Sequence, residues 1–313
     1  MPVLVLGGRM STRSRRETPV SDLYEELRPL MFSIAYRMVS SASDAEDIAQ
    51  EAFLRYHREV SAGTEVDSPK AYLSAVTTRL AIDHLRSARV RRERYVGTWL
   101  PEPIVTEEQD VGAQAETADS LSMAFLLLLE NLTPVERAVF LLREVFDYGY
   151  DEIAKVVERT EDNCRQIAAR ARRHVQAERP RFEASRKRRE ELARKFFEAA
   201  WAGDEGDLLA LLSADVVAYG DGGGKAPALP KPVHGAERVA RLLLSARWRG
   251  QRVVGVASMR LVAVNGQPGA ILFDAAGAPV VAISLDIADD RVQAVRAVAN
   301  PDKLRHLRAT AGA

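Results

Sequence analysis

The chain has 313 residues, 47% of them hydrophobic, with 44 basic and 44 acidic side chains and therefore no formal net charge. That length accommodates two or three domains with real cores and excludes disorder of the whole, while a zero sum says nothing about a polyanionic partner until charge is resolved along the chain. One cysteine, Cys164, and five scattered histidines leave no internal disulfide and no metal-ligand spacing, which indicates a reducing, cytoplasmic setting with no metal and no cofactor.

Residues 1–19 open with a short apolar run, Pro2 to Leu6, too brief for a signal segment or a membrane span. They read as a disordered arm in which Met10 is an alternative start. Over 20–95 the apolar residues Leu23, Leu27, Leu30, Met31, Ile34, Ala35 and Met38 recur with a helical period. A second helix follows, with Ser43 as N-cap and Glu46 closing a capping box. It buries Ala45, Ile48, Ala49, Ala52, Phe53 and Tyr56, and turns Asp44, Asp47, Gln50, Glu51 and Arg55 outward. A third begins at Ser68 and Pro69, packs Tyr72, Leu73, Val76, Leu80, Ile82 and Leu85, and ends in arginines. Acids dominate from Asp44 to Asp67 and bases from Lys70 to Arg94.

Residues 96–120 hold Glu102, Glu107, Glu108, Asp110, Glu116 and Asp119 with no Lys or Arg, and read as an acidic linker containing "WLPEP". Trp99 and Leu100 are costly to expose and the prolines pre-extend the chain, so this segment is expected to dock; a local tuck of Trp99 onto the first module is the alternative. Over 121–180 a helix starts at Thr133, Pro134 and Glu136 and stops near Gly149. Then come "YDEIAKVV", a break at "ERT", and a basic helix capped by Thr160, which together form a helix-turn-helix pattern. Cys164, Ile167, Ala168, Ala171 and Val175 make its inward stripe. Asp162, Asn163, Arg165, Gln166 and Arg170 face outward, with Arg172 and Arg173 placed for phosphates. Glu158 stands where such a turn favours glycine, so it either takes a left-handed conformation at some cost or the turn is differently built. Two basic blocks flanking an acidic tether suit two modules that each hold a polyanion, whereas a single block is as well explained as a solvated face.

Over 188–313 two helices broken at Gly203 to Asp207 lead into a strand, another helix and several short β-runs ending at "NG", "AAGA" and "ADD" turns, the order of an α+β domain with a curved sheet. Its loop "DGGGK", Asp221 to Lys225, is not a phosphate loop: Tyr219 stands where the first glycine belongs, Ala226 where the hydroxyl belongs, and prolines exclude the helix that should follow. A flexible close-approach loop displaying Asp221 and Lys225 remains. The polar candidates for chemistry, Tyr219, Asp221, His234, Asp274 and Asp286, form no motif.

"DAEDIAQEAFLR" with "SPKAYLSAVTTRLAIDHLRSARVRR" resembles region two of bacterial extracytoplasmic-function sigma factors, and the helix-turn-helix segment resembles their region four. The resemblance implies that Asp44, Asp47, Gln50 and Glu51 contact RNA polymerase core. It implies that Thr78, Arg79, Asp83, Arg86 and Arg89 meet the minus-ten strand, with the loop Ser61 to Pro69 holding a flipped base. Asp162, Asn163, Arg165, Gln166, Arg170, Arg172 and Arg173 are then the minus-thirty-five set. The last domain is similar to the SnoaL-like cone fold of the NTF2 type. "WLPEP" (Trp99, Leu100, Pro101, Glu102, Pro103), "DGGGK" (Asp221, Gly222, Gly223, Gly224, Lys225) and "NPDK" (Asn300, Pro301, Asp302, Lys303) resemble the sigma-J-like group, whose extension regulates the sigma domains in cis. The expected fold is thus two all-α sigma domains and a SnoaL-like domain, with core polymerase and promoter DNA as partners, no chemistry of its own and no membrane. A small molecule in the cone pocket, a DNA-binding regulator that ignores polymerase, and a SnoaL-type enzyme with a DNA-binding arm are the open alternatives.

Overall fold

The computed structural model describes residues 20–92, 95–106, 119–178, 185–249 and 255–312. The predicted arm 1–19 and linker residues 107–118 lie outside this set. Helices α1 (Val20–Val39), α2 (Ala42–Ser61) and α3 (Pro69–Arg92) form the first module. Ala45, Ile48, Ala49, Ala52 and Tyr56 are buried as their spacing requires, and Phe53 packs partly buried beside them. The start of α2 differs from expectation. Ser41, not Ser43, is the N-cap, accepting the Asp44 amide at 3.2 Å, and Glu46 instead pairs with Arg28 at 2.7 Å. The free amides of Ala42 and Ser43 are taken by Glu102 of the linker, 2.8 and 3.1 Å away. A carboxylate brought from sixty residues downstream does what a local capping box does elsewhere.

The second module comprises α4 (Met123–Leu129), α5 (Pro134–Glu144), α6 (Tyr150–Val157) and α7 (Glu161–Glu178). Thr133 and Glu136 close the expected capping box. Helix α5 ends before Gly149, which is the N-cap of α6, its amide donating to Glu152 at 3.0 Å. Between α6 and α7, Glu158 has φ 55° and ψ 54°. A left-handed conformation without glycine is strained, so Glu158→Gly should raise unfolding free energy by about 1 kcal/mol in chemical denaturation. Cys164 is fully buried with Ile167, Ala168, Ala171 and Val175.

The two helical modules do not fold around separate cores. Ala35, Tyr36, Ala81 and Leu85 belong to the same buried cluster as Leu126, Val139, Cys164 and Ala171. Buried Arg37 donates to Ser120 at 3.1 and 3.0 Å, and buried Arg137 reaches back to the Met38 carbonyl at 2.5 Å.

Helices α8 (Arg186–Ala202) and α9 (Glu205–Leu211) precede strand β2 (Leu212–Asp221); β3 (Val233–His234) and α10 (Ala236–Arg249) follow. Strands β4 (Val256–Val264), β5 (Gln267–Asp274), β6 (Pro279–Ala288) and β7 (Arg291–Val298) make a meander, and a 3₁₀ helix spans Pro301–Gly312. The linker contributes β1 (Val105–Thr106) at the sheet edge, giving the order β1-β4-β5-β6-β7-β2-β3, antiparallel except for β2 with β7. Helices α8, α9 and α10 cover one face through Phe196, Leu208 and Val239 against Leu285 and Val295. Alternation along β5 puts Ala270 in that cluster and Ile271 in another, where Phe273 and Val298 meet Leu100, Met123 and Leu304. Among the described residues no helix is long and apolar enough to cross a membrane.

Candidate nucleic-acid interface and linker junction

The linker lies in a groove built by the C-terminal domain. Leu100 is completely buried, and Pro101, Glu102 and Pro103 are buried after it. Asp221, at the end of β2, is also completely buried, contrary to the expectation of a displayed side chain. Its carboxylate accepts four hydrogen bonds, two of them from residues 95–103. Oδ1 accepts from Tyr95 Oη at 2.5 Å and Gly223 N at 3.1 Å; Oδ2 accepts from Leu100 N at 2.9 Å and Lys303 Nζ at 2.8 Å. A buried carboxylate is stable only when so satisfied. Lys303 also donates to the Leu100 carbonyl and lies 4.4 Å from the Trp99 ring centre and 4.8 Å from that of Tyr95. Asn300 Nδ2 donates to Tyr95 Oη at 2.8 Å, and burial, then the bond to Asp221, holds the Tyr95 hydroxyl above its ordinary range. Tyr95 therefore remains a donor at neutral pH.

Glycine is required at 223 because φ is +56° and a Cβ there would meet Asn300 Nδ2 at 2.2 Å. Gly222 is buried, and Gly224 faces Val96. Exposed Lys225 pairs with Asp302, which follows Pro301 in the 3₁₀ helix, and not with a linker residue among those described. The three predicted segments thus converge around residues 95–103.

A second junction was not foreseen. Asn265, in the β4–β5 turn, has φ 54° and no exposed surface. Its Nδ2 donates to Tyr36 Oη at 2.6 Å and to the Leu121 carbonyl at 3.1 Å, while Oδ1 accepts from Ile104 N at 3.1 Å. One amide side chain joins the first module, the second module's approach and the linker. Tyr36 in turn donates to the Glu102 carbonyl at 2.6 Å.

On the first module the acidic face of α2 carries exposed Asp47 and Gln50, with Glu51 bonded to Arg55 at 2.8 Å and Asp44 3.4 Å from His84. Leu54, 51% exposed, sits among them. Between α2 and α3 a groove of about 390 Å³ is lined by Arg55, Arg58, Glu59, Tyr72, Val76 and Arg79. Arg79 was expected in a DNA set; Arg55, Arg58 and Tyr72 were not, since only folding brings α2 and α3 arginines beside an aromatic ring. Thr78 is buried, its hydroxyl bonded to the Ser74 carbonyl at 2.8 Å, because its place on α3 points it inward. Exposed Asp83 and Arg86 pair at 3.1 Å, and the Arg89 side chain lies outside the described residues. Loop residues 61–65, 67 and 68 are exposed.

On α7, Gln166 and Arg173 are exposed and Asn163 half-buried. Arg165 pairs with Asp162 and Glu161, both at 2.8 Å, and lies over the Tyr150 ring. Arg170 pairs with Glu136 at 2.7 Å and Arg172 with Glu144 at 2.5 Å. These are exposed contacts of small worth, which a phosphate can replace.

The residues considered for chemistry do not converge. Asp286 pairs with Arg296, which lies over Tyr219, whereas Asp221 serves the linker, Asp274 caps its own turn at Ala276 and Ala278, and His234 is exposed. Among the described residues no group of three or more His, Cys, Asp or Glu is placed to hold a metal ion.

Comparison with known proteins covers most of the chain. Residues 23–91 match the family model of Sigma-70 region 2 and residues 122–175 that of Sigma-70, region 4. The chain is 37% identical over 291 residues to the ECF RNA polymerase sigma factor SigJ of Mycobacterium tuberculosis, covering 90% of this chain and 91% of the relative. It is 32% identical over 297 residues to the probable ECF RNA polymerase sigma factor SigI of the same species, covering 94% and 98%. The crystal structure of Mycobacterium tuberculosis SigJ superposes with a TM-score of 0.70 at 32% identity, over 91% of this chain and 97% of that one.

Proposed function

The chain belongs to the extracytoplasmic-function sigma factors of RNA polymerase, and on that premise we propose that its SnoaL-like domain is a built-in brake acting through the linker. As a sigma factor it directs core polymerase to promoters. The acidic face of α2, Asp44, Asp47, Gln50 and Glu51 around Leu54, is the polymerase-docking surface. Arg79, Asp83, Arg86 and Arg89 serve the minus-ten strand, with Arg55, Arg58 and Tyr72 adding cations and a stacking surface suited to unpaired nucleotides. Thr78 has a supporting part, since its hydroxyl is spent on the backbone. Asp162, Asn163, Arg165, Gln166 and Arg170 serve the minus-thirty-five element, with Arg172 and Arg173 on phosphates.

The observation that carries the brake is the four-donor seat of Asp221, which fixes the Leu100 amide and Lys303 together. The two promoter elements lie about 25 base pairs apart, about 85 Å along B-form DNA. Two modules with one shared core do not span that distance, so they must separate to work. A domain that grips residues 95–106 and, through Asn265, reaches both modules at their junction opposes the separation. It requires no catalytic step.

Docking is tested by the acidic face. Asp47→Arg with Glu51→Arg is expected to lower affinity for purified core polymerase by about a hundredfold, since reversing rim charges replaces attraction with repulsion. Binding that survives the double reversal counts for a DNA-binding regulator independent of polymerase.

A further inference from the structure

We infer that region four itself latches the minus-ten reader: the C-terminal end of α6 holds the exposed Arg79 guanidinium, so a DNA strand must draw this side chain off two helix-end carbonyls to use it and does so more readily once the two helical modules part. The inference rests on the minus-ten role proposed above for Arg79. Its Nε donates to the Val156 carbonyl at 3.0 Å and its Nη2 to the Lys155 carbonyl at 2.7 Å. Both are last-turn carbonyls of α6, without partners inside their helix and at the negative end of its dipole, which makes them a natural seat for a cation. The left-handed Glu158 terminates the helix there and brings its carboxylate to 3.9 Å from Nη2. Three oxygens of region four thus surround a guanidinium of region two.

The contact does not stand alone. Tyr148, just ahead of α6, donates at 2.7 Å to Oγ of Ser74, five residues before Arg79 on α3, and Leu80 packs against the shared core. Arg79 also forms one wall of the groove that holds Arg55, Arg58 and Tyr72. A strand entering that groove finds one of its arginines already committed, and its phosphates must compete with α6. The latch shares no residue with the Asp221 and Asn265 contacts, and so is a second restraint beside the linker seat. Its logic is reciprocal: whatever pulls region four away frees Arg79, and a strand that captures Arg79 favours the open arrangement.

The test uses the full chain, a fluorescein-labelled single-stranded DNA dodecamer pool of randomised sequence, and anisotropy at fixed salt. Tyr148→Phe with Glu158→Arg removes the Ser74 bond and sets a like charge beside Arg79, with folding checked by thermal denaturation. Affinity is expected to rise about tenfold, within the ordinary range of coupling between sites. Because Glu158→Arg also adds positive charge, the same pair is combined with Arg79→Gln: the latch requires that most of the gain disappear. No gain, or a gain that persists without Arg79, overturns it. In parallel, Arg79→Gln alone is assayed in run-off transcription with core polymerase, where the modules are already apart. Transcription equal to that of the unmodified chain would remove the minus-ten role on which the latch depends, and a loss would sustain it.

Discussion

Replacing Asp221 by Ala is expected to release the linker and to destabilise the C-terminal domain by about 3–5 kcal/mol, the usual result of leaving a buried charge without its partner. Lys303, 6% exposed, would lose its carboxylate, and the buried Leu100 amide its acceptor. Thermal denaturation should show a transition lower by about 10–20 °C for the domain. Limited proteolysis should open new sites between Tyr95 and Thr106. Asp221→Asn separates the two effects, because an amide oxygen still accepts from Leu100 while the charge opposite Lys303 is gone. A linker as protected in Asp221→Ala as in the unmodified chain would show that Leu100 holds it by burial alone.

Asn265→Ala should act on function more than on folding of any one domain. It removes the bonds to Tyr36, Leu121 and Ile104 at once; Tyr36 keeps its bond to the Glu102 carbonyl, while the half-buried Leu121 carbonyl and Ile104 amide lose a partner, at about 1–3 kcal/mol for each group. The modules should part more readily. Run-off transcription from a cognate promoter with saturating core polymerase is expected to rise about tenfold, the factor that 1.4 kcal/mol supplies. Asn265→Gly is the control for backbone strain, since it relieves the positive φ without restoring the amide. Transcription that stays level or falls while the chain remains folded would mean that the C-terminal domain supports initiation.

Most of the fold was legible because its signals are local. Thr133, Pro134 and Glu136 announce a helix start, the Cys164 to Val175 stripe announces a buried face, and Glu158 marks the left-handed turn by standing where glycine belongs. The site was only half legible. "WLPEP", "DGGGK" and "NPDK" are recognisable strings, but Asp221 read as displayed because nothing local reveals that Leu100 and Lys303 will enclose it. Asn265 read as an ordinary hairpin residue, since its partner Tyr36 is 229 positions away. Glu102 stood in the docking string "WLPEP", but nothing local tells that its carboxylate takes the first amides of α2. In each case the information lies in pairs distant along the chain, which periodicity and capping rules do not reach.

The two-residue strand β1 has a consequence for how such a regulator can be economical. By pairing Val105 with Val264 and Thr106 with Ala263, the linker joins the sheet as an internal peptide ligand, already attached through the rest of the chain to the domain that receives it. A tethered ligand of this kind meets its groove at an effective concentration of about millimolar. Contacts too weak to hold two separate proteins together in a cell then suffice for near-complete occupancy, and the same weakness lets the groove empty quickly. In the proposed brake, fusion thereby supplies speed of response that a tight, diffusible inhibitor, limited by its slow dissociation, would not give.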